Sequence, residues 1–360
     1  MPFCKKRKME DWVMINIMYA PWADYISAKA EETLLNSRRF SLLDIQLSGE
    51  CNFNCRYCDS PDRNKQFHLP LSKVRNIIRT EKITCVYICG LGEPTVIGQN
   101  YNALIEILKS CDEEKIQCSI FTNLYWITDE LIEYIKNGTL NILFKLDSFN
   151  PVEVSNIYGI SPDMAESQLK NVQKIIKLTR NNNGYVNIGA SIVPTKLNYS
   201  GIMNTIKECF RIGVYPLLTD LGYSGNVMNE YEALYLGIDE MKEIKSEISE
   251  FIGKEYNLPI CPSIISGVHI NPLGKVTVDS RSGLSCGWFW ANEPVFFEIG
   301  DINTESFQAI NEKILKYRKE FFFSFVKEAS TNDNQVFGGC GGNITLLLER
   351  YKKIQQGGNS

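Results

Sequence analysis

The chain has 360 residues, of which 44% are hydrophobic and 22% charged, and its formal net charge is −4. That balance supports one large core, or a large and a small one, and leaves no electrostatic footprint for nucleic acid. No run approaches the roughly 18 apolar residues of a membrane span and no signal peptide is visible, so a cytoplasmic location is expected.

Residues 1–40 read as an N-terminal extension whose Lys5, Lys6, Arg7 and Lys8 form a solvated basic start. Residues 41–255 read as one domain, in which from residue 42 to about 221 short apolar runs alternate with amphipathic stretches, the pattern of repeated βα units around a parallel sheet. The apolar runs predict strands over 42–47, 84–89, 119–123, 142–147, 187–193 and 214–220. Apolar residues at helical spacing predict helices over 73–79, 102–110, 129–135, 164–178 and 203–210. Six such units make an open (β/α)6 barrel, with the reactive site at the carboxyl ends of the strands, as in complete βα barrels. A long charged helix over 230–251 is expected to close this domain.

The first strand leads into Cys51-Asn52-Phe53-Asn54-Cys55-Arg56-Tyr57-Cys58. Three cysteines this close suit an iron–sulfur cluster, and three ligands to a cubane leave one iron open to a non-protein partner. Structural zinc fits less well, since the chain's two histidines, His68 and His269, are not at finger spacing. Disulfides belong to oxidising compartments. After the second strand comes Gly90-Leu91-Gly92-Glu93-Pro94, where glycines let backbone approach a ligand and carbonyls with Glu93 can accept from an ammonium group. Cys85, Cys89, Cys111, Cys118 and Cys209 lie in apolar elements and read as small buried hydrophobes.

The CxxxCxxC spacing followed by GxGEP resembles the radical SAM enzyme superfamily. That resemblance implies that Cys51, Cys55 and Cys58 bind a [4Fe–4S] cluster while S-adenosylmethionine chelates the fourth iron. It further implies that Gly90, Gly92 and Glu93 hold the amino group of S-adenosylmethionine and that Tyr57 offers its backbone to the adenine. Asn123, Asp147 and Ser148 stand at strand ends where the family keeps polar contacts to ribose and carboxylate; Lys145 is a candidate whose strand alternation can point it elsewhere. Ser191 and Asn198 match positions near the methionyl or ribose part. The competing reading for Asn123, Asp147 and Ser148 is a strand-end residue capping the next helix.

Residues 256–360 change in texture. Short apolar runs at 268–270 and 275–278 flank Asn271-Pro272-Leu273-Gly274, which suits a hairpin turn. Cys261, the hairpin, Cys286 and Cys340 resemble the auxiliary-cluster extension called SPASM or its shorter relative, twitch, as a small hairpin-plus-helix domain. Asp279 stands where that pattern has a cysteine, so the resemblance implies one auxiliary cluster, with Cys261, Cys286 and Cys340 as ligands and Asp279 as a candidate fourth. If Cys340 or Cys286 does not ligate iron, it can serve as a catalytic thiol hydrogen donor. Trp288, Phe289 and Trp290 read as core or as a substrate wall.

The expected activity is reductive cleavage of S-adenosylmethionine and hydrogen-atom abstraction from a peptide or protein side chain. A sugar, aminocyclitol or other small molecule is the alternative substrate, and a noncatalytic iron–sulfur electron carrier is the alternative from another class. A reducing partner such as flavodoxin or ferredoxin is implied, with no nucleic acid and no membrane.

Overall fold

The computed structural model describes residues 42–58, 60, 65–81, 83, 85–181, 188–219, 221, 225–253, 255–256, 267–277 and 298–317. Strands β1 (Leu42–Ile45), β2 (Cys85–Ile88), β3 (Gln117–Thr122), β4 (Leu140–Lys145), β5 (Ile188–Ile192) and β6 (Tyr215–Leu218) pair in parallel in chain order. Helices α1 (Leu71–Thr80), α2 (Gln99–Glu113), α3 (Asp129–Lys136), α4 (Pro151–Tyr158), α5 (Pro162–Asn181) and α6 (Tyr199–Ile212) supply the crossovers that parallel strands require. This is the partial βα barrel expected from the apolar periodicity.

Alternation along the strands separates two faces. Leu43, Ile45, Val86, Ile88, Ile120, Ile142, Phe144 and Ala190 join Val74, Ile77, Leu104, Leu108 and Ile175 from the helices in one buried core. Burying each Val, Leu, Ile or Phe side chain among them stabilises the fold by about 1.5–3 kcal/mol. The other face is far more polar, with Asp44, Gln46, Ser119, Asn141 and Ser191 all buried.

Two helical expectations need correction. The single helix over 230–251 is two, α7 (Val227–Leu234) and α8 (Ile238–Ile252), separated by an extended Tyr235. The last carbonyls of α7 are taken from outside the helix: Leu234 O accepts from Lys196 N at 2.9 Å and Glu232 O from Lys196 Nζ at 2.8 Å. Tertiary hydrogen bonding thus overrides a continuous amphipathic pattern. The second correction is α4, which the apolar periodicity did not bring out. Its signals are local: Asn150 Oδ1 caps Val152 N at 2.9 Å, Pro151 opens the helix, and Gly159 closes it at φ 58°.

The C-terminal hairpin forms as expected, but it does not stand apart. Its first strand, β7 (Gly267–Ile270), runs parallel to β1 with His269 opposite Asp44, and β8 (Lys275–Thr277) and β9 (Glu298–Asp301) follow antiparallel, giving a nine-stranded sheet ordered 6-5-4-3-2-1-7-8-9. Asn271 Oδ1 accepts from the backbone of Leu273 and Lys275, and Gly274 takes φ 83°, so the turn residues act as read. Helix α9 (Phe307–Tyr317) packs against β9 through Phe307, Ile310 and Ile314.

Candidate functional site

The cysteine loop leaves the carboxyl end of β1 and is fixed by its backbone. Asn54 N donates to Tyr158 O at 3.1 Å and Arg56 N to Ile157 O at 3.0 Å, so the loop takes the otherwise orphaned carbonyls at the end of α4. Gly159 is required there, because a Cβ would overlap the Asn54 carbonyl. On the other side Asn226, just before α7, donates its N–H to Cys58 O at 2.8 Å and its Nδ2 to Cys55 O at 2.9 Å. Phe53 stacks on Tyr158 at 5.7 Å. With the main chain held from two sides, Cys55 is buried while Cys51 and Cys58 stay half-buried.

As free thiols Cys51 and Cys55 resist ionisation. Burial, then the Glu93 carboxylate, pushes Cys51 up to about 11, and burial pushes Cys55 higher still, with Lys145 the chief opposing influence on Cys55. The Lys145 ammonium lies 4.8 Å above the Tyr57 ring, which answers where β4 points it: toward the cysteines. Thiolates in such a place need a cationic partner, and binding iron would release their protons. Among the described residues no three Cys, His, Asp or Glu side chains converge on one ion. A four-iron cluster gives each cysteine its own iron and does not need that convergence. Two buried polar atoms flanking Cys51, Glu50 Oε2 and Asn52 Nδ2, have no protein partner among the described residues. Three thiols with orphaned polar groups beside them fit a cluster and a polar ligand.

The GxGEP loop lies directly against this loop. Gly90 takes φ 88° and Leu91 φ 57°, and a Cβ on Gly92 would stand 2.6 Å from the Ser48 carbonyl oxygen and closer still to that of Glu50. Only glycine lets the two loops touch. Glu93 N then donates to Glu50 O at 2.7 Å. The Glu93 carboxylate is engaged by donors of the protein itself. Oε1 accepts from Thr95 N, Thr95 Oγ1 and Thr122 Oγ1 at 2.9, 2.7 and 2.6 Å, and Oε2 accepts from Asn123 N at 2.6 Å. Burial raises its pKa and those four donors oppose the rise. Glu93 therefore welds the loop to the end of β3.

Other expected contacts are likewise occupied by protein. Asp147, expected to accept from ribose hydroxyls, is fully buried; one oxygen accepts from Tyr57 Oη and the other from Val193 N at 2.7 Å. Tyr57 thus uses its phenol to tie the cysteine loop to β4, a role distinct from the backbone contact expected of it. Ser148 donates to Glu153 Oε2 at 2.6 Å and accepts from Asn150 N, which is the helix-entry reading for that residue. Asn198 bonds Thr195 and Val193 within its own turn. Ser191 sits beside Lys145 on the polar face of the sheet, 6% exposed. Cys261, Asp279, Cys286, Cys340 and the aromatic run 288–290 lie outside the described residues.

Sequence reasoning missed Asn100. Its Oδ1 accepts from Ser48 N at 2.9 Å and its Nδ2 donates to Ser48 O and Glu93 O at 3.0 and 3.1 Å, stapling the cysteine approach to the GxGEP loop. An asparagine in the first turn of a helix two residues past a glycine was the available signal, and it is a weak one.

Residues 45–209 match the model of the Radical SAM superfamily. Curated relatives include a GTP 3′,8-cyclase of Haemophilus influenzae, 28% identical over 134 residues, 34% of this chain and 38% of that protein. The radical SAM cyclopropyl synthase TigE of Paramaledivibacter caminithermalis is 25% identical over 164 residues, 40% of this chain and 34% of that protein. The chain therefore spans a little over a third of the length of these relatives. Among solved structures, Streptococcus suis SuiB bound to S-adenosylmethionine superposes with a TM-score of 0.53 at 17% identity, over 68% of this chain and 61% of that one. The protein anSMEcpe with bound AdoMet superposes with a TM-score of 0.55 at 13% identity, over 88% and 97%. At these identities the structural likeness speaks for the fold, and the cofactors of the family are a [4Fe–4S] cluster and S-adenosylmethionine.

Proposed function

The chain belongs to the radical SAM superfamily, and on that premise we propose that it cleaves S-adenosylmethionine reductively and abstracts a hydrogen atom from a peptide side chain. When bound, the cluster and S-adenosylmethionine supply one-electron cleavage of the sulfonium, which yields methionine and a hydrogen-abstracting 5′-deoxyadenosyl group. Cys51, Cys55 and Cys58 would hold the cluster. The observation that carries the reading is the pairing of these thiols, on a backbone-clamped loop, with the GxGEP loop that Gly92 brings into contact with it.

The remaining roles fall to the chain's own groups. Lys145 offsets negative charge beside the cysteines, and Tyr57, Asp147, Glu93 and Asn100 fix the loops around them. Rigid placement matters because a hydrogen-abstracting species must meet its target carbon and nothing else, in a site closed to water. Cys261, Cys286 and Cys340, with Asp279, are proposed as the ligands of one auxiliary cluster, and a flavodoxin or ferredoxin as the reductant.

A peptide substrate is supported by two proteins of like fold, SuiB solved with its precursor peptide SuiA and anSMEcpe solved with a peptide. The GTP 3′,8-cyclase relative supports the second reading, a small-molecule substrate. The test is anaerobic reconstitution with iron and sulfide followed by dithionite and S-adenosylmethionine. Formation of 5′-deoxyadenosine and methionine is expected, and their absence from cluster-loaded protein overturns the proposal.

A further inference from the structure

The hydrogen-bond network around the cysteine loop fixes the orientation of one amide that no sequence motif singles out. Tyr125 N donates to Asn123 Oδ1 at 2.9 Å, and a backbone N–H can only donate, so that atom of Asn123 is oxygen. Its Nδ2 is then the end that faces Asn52 and donates to Asn52 Oδ1 at 2.8 Å. Asn52 Nδ2 is therefore the remaining end. It is buried and has no acceptor among the described residues.

A buried amide N–H left without an acceptor is costly. This one is on the residue after Cys51, and its partner Asn123 is held in turn by Glu93 through its backbone N–H. The GxGEP glutamate thus positions, through Asn123, an unused donor beside the first cysteine. Resting on the cofactor reading above, we propose that Asn52 is a further cofactor-binding residue whose Nδ2–H donates to an anionic acceptor bound at the cysteine loop. Two acceptors share that chemistry: a sulfur of the cluster and the carboxylate of S-adenosylmethionine.

Two substitutions separate a donor from a scaffold. Asn52→Asp keeps an oxygen for Asn123 Nδ2 and removes the donor, whereas Asn52→Ala removes both. The readouts are iron and sulfide content, the midpoint potential of the reconstituted protein without S-adenosylmethionine, and the affinity for S-adenosylmethionine by calorimetry. A donor role makes Asn52→Asp at least as impaired as Asn52→Ala. If the acceptor is a cluster sulfur, the midpoint without S-adenosylmethionine falls, by about 59 mV for a tenfold poorer one-electron reduction. If it is the carboxylate, that midpoint holds while affinity for S-adenosylmethionine drops about tenfold or more, as for a lost hydrogen bond to a charged group. Wild-type behaviour of Asn52→Asp, with Asn52→Ala alone impaired or with neither, overturns the inference and leaves the cofactor reading standing. A wild-type protein that binds no cluster overturns both.

Discussion

Thiols occupy two contrasting places in this fold. Cys111 on α2 and Cys118 on β3 are fully buried against one another on the helix side of the sheet, and Cys85 on β2 is fully buried beside Ser119 on the other face. Burial, then Cys111, pushes Cys85 up to about 12, and a hydrogen bond with Cys111, then burial, raises Cys118 well above its ordinary value. Cys51 and Cys55 are raised too, but with Cys58 they sit at the carboxyl ends of the strands, next to a lysine and two orphaned polar atoms. The difference is one of surroundings: the first set has its packing complete, and the second is incomplete without a ligand. Cysteine number therefore says little about chemistry, while strand-end placement says much.

The largest expected effect breaks or secures that contrast directly. Replacing Cys51, Cys55 and Cys58 together by alanine is expected to abolish 5′-deoxyadenosine formation and remove the iron held at the loop, measured by iron and sulfide analysis. Undiminished cleavage would show that the incomplete set is not the cluster site. Next is Gly92→Ala, which drives a methyl group into the carbonyls of Ser48 and Glu50. A loss of about 3 kcal/mol is expected, at the upper end of overpacking costs, read as a lower thermal midpoint together with lost binding of S-adenosylmethionine.

Tyr57→Phe tests the reassigned role of Asp147. It leaves one buried carboxylate oxygen without its donor, which costs about 1–3 kcal/mol. Stability should fall in the protein before any cofactor is added. An unchanged melting curve with weakened cofactor binding would instead return Asp147 to the ligand. Cys118→Ala, in the packed set, should cost about 1 kcal/mol, in the range of small core truncations. Iron content and cleavage should not change, and a loss of loop iron would erase the distinction between the two sets.

Much of this fold can be read in the chain because its signals are local or periodic. The six strands β1–β6 follow from apolar runs, and the cysteine and GxGEP loops fall at strand ends as βα order requires. What escapes is tertiary. Helix α4 is short and weakly periodic, yet it supplies the carbonyls that hold the cysteine loop. Asp147, Glu93 and Asn198 have side chains suited to a ligand, but which atoms they meet depends on chain segments far away or on the path of a turn. Likewise the hairpin's turn is legible in Asn271 and Gly274, but its pairing along β1 joins residues more than two hundred positions apart.

The smallest expected effect asks what holds the cysteine loop in place. Arg56 lies between the second and third cysteines, and its guanidinium meets Glu230 of α7, with Nε 2.7 Å from Oε2, and Asn156 of α4 at 3.3 Å. Both members of the ion pair remain about a third exposed, so water and salt screen their attraction, and a pair of this kind contributes about 0–1 kcal/mol. The four backbone-directed bonds from Asn54, Arg56 and Asn226 are independent of that charge. Arg56→Gln should therefore lower the melting temperature slightly at low salt and hardly at all at high salt, with iron content unchanged. A large, salt-insensitive loss of iron would mean that the guanidinium, rather than the main chain, keeps the incomplete thiol set in position.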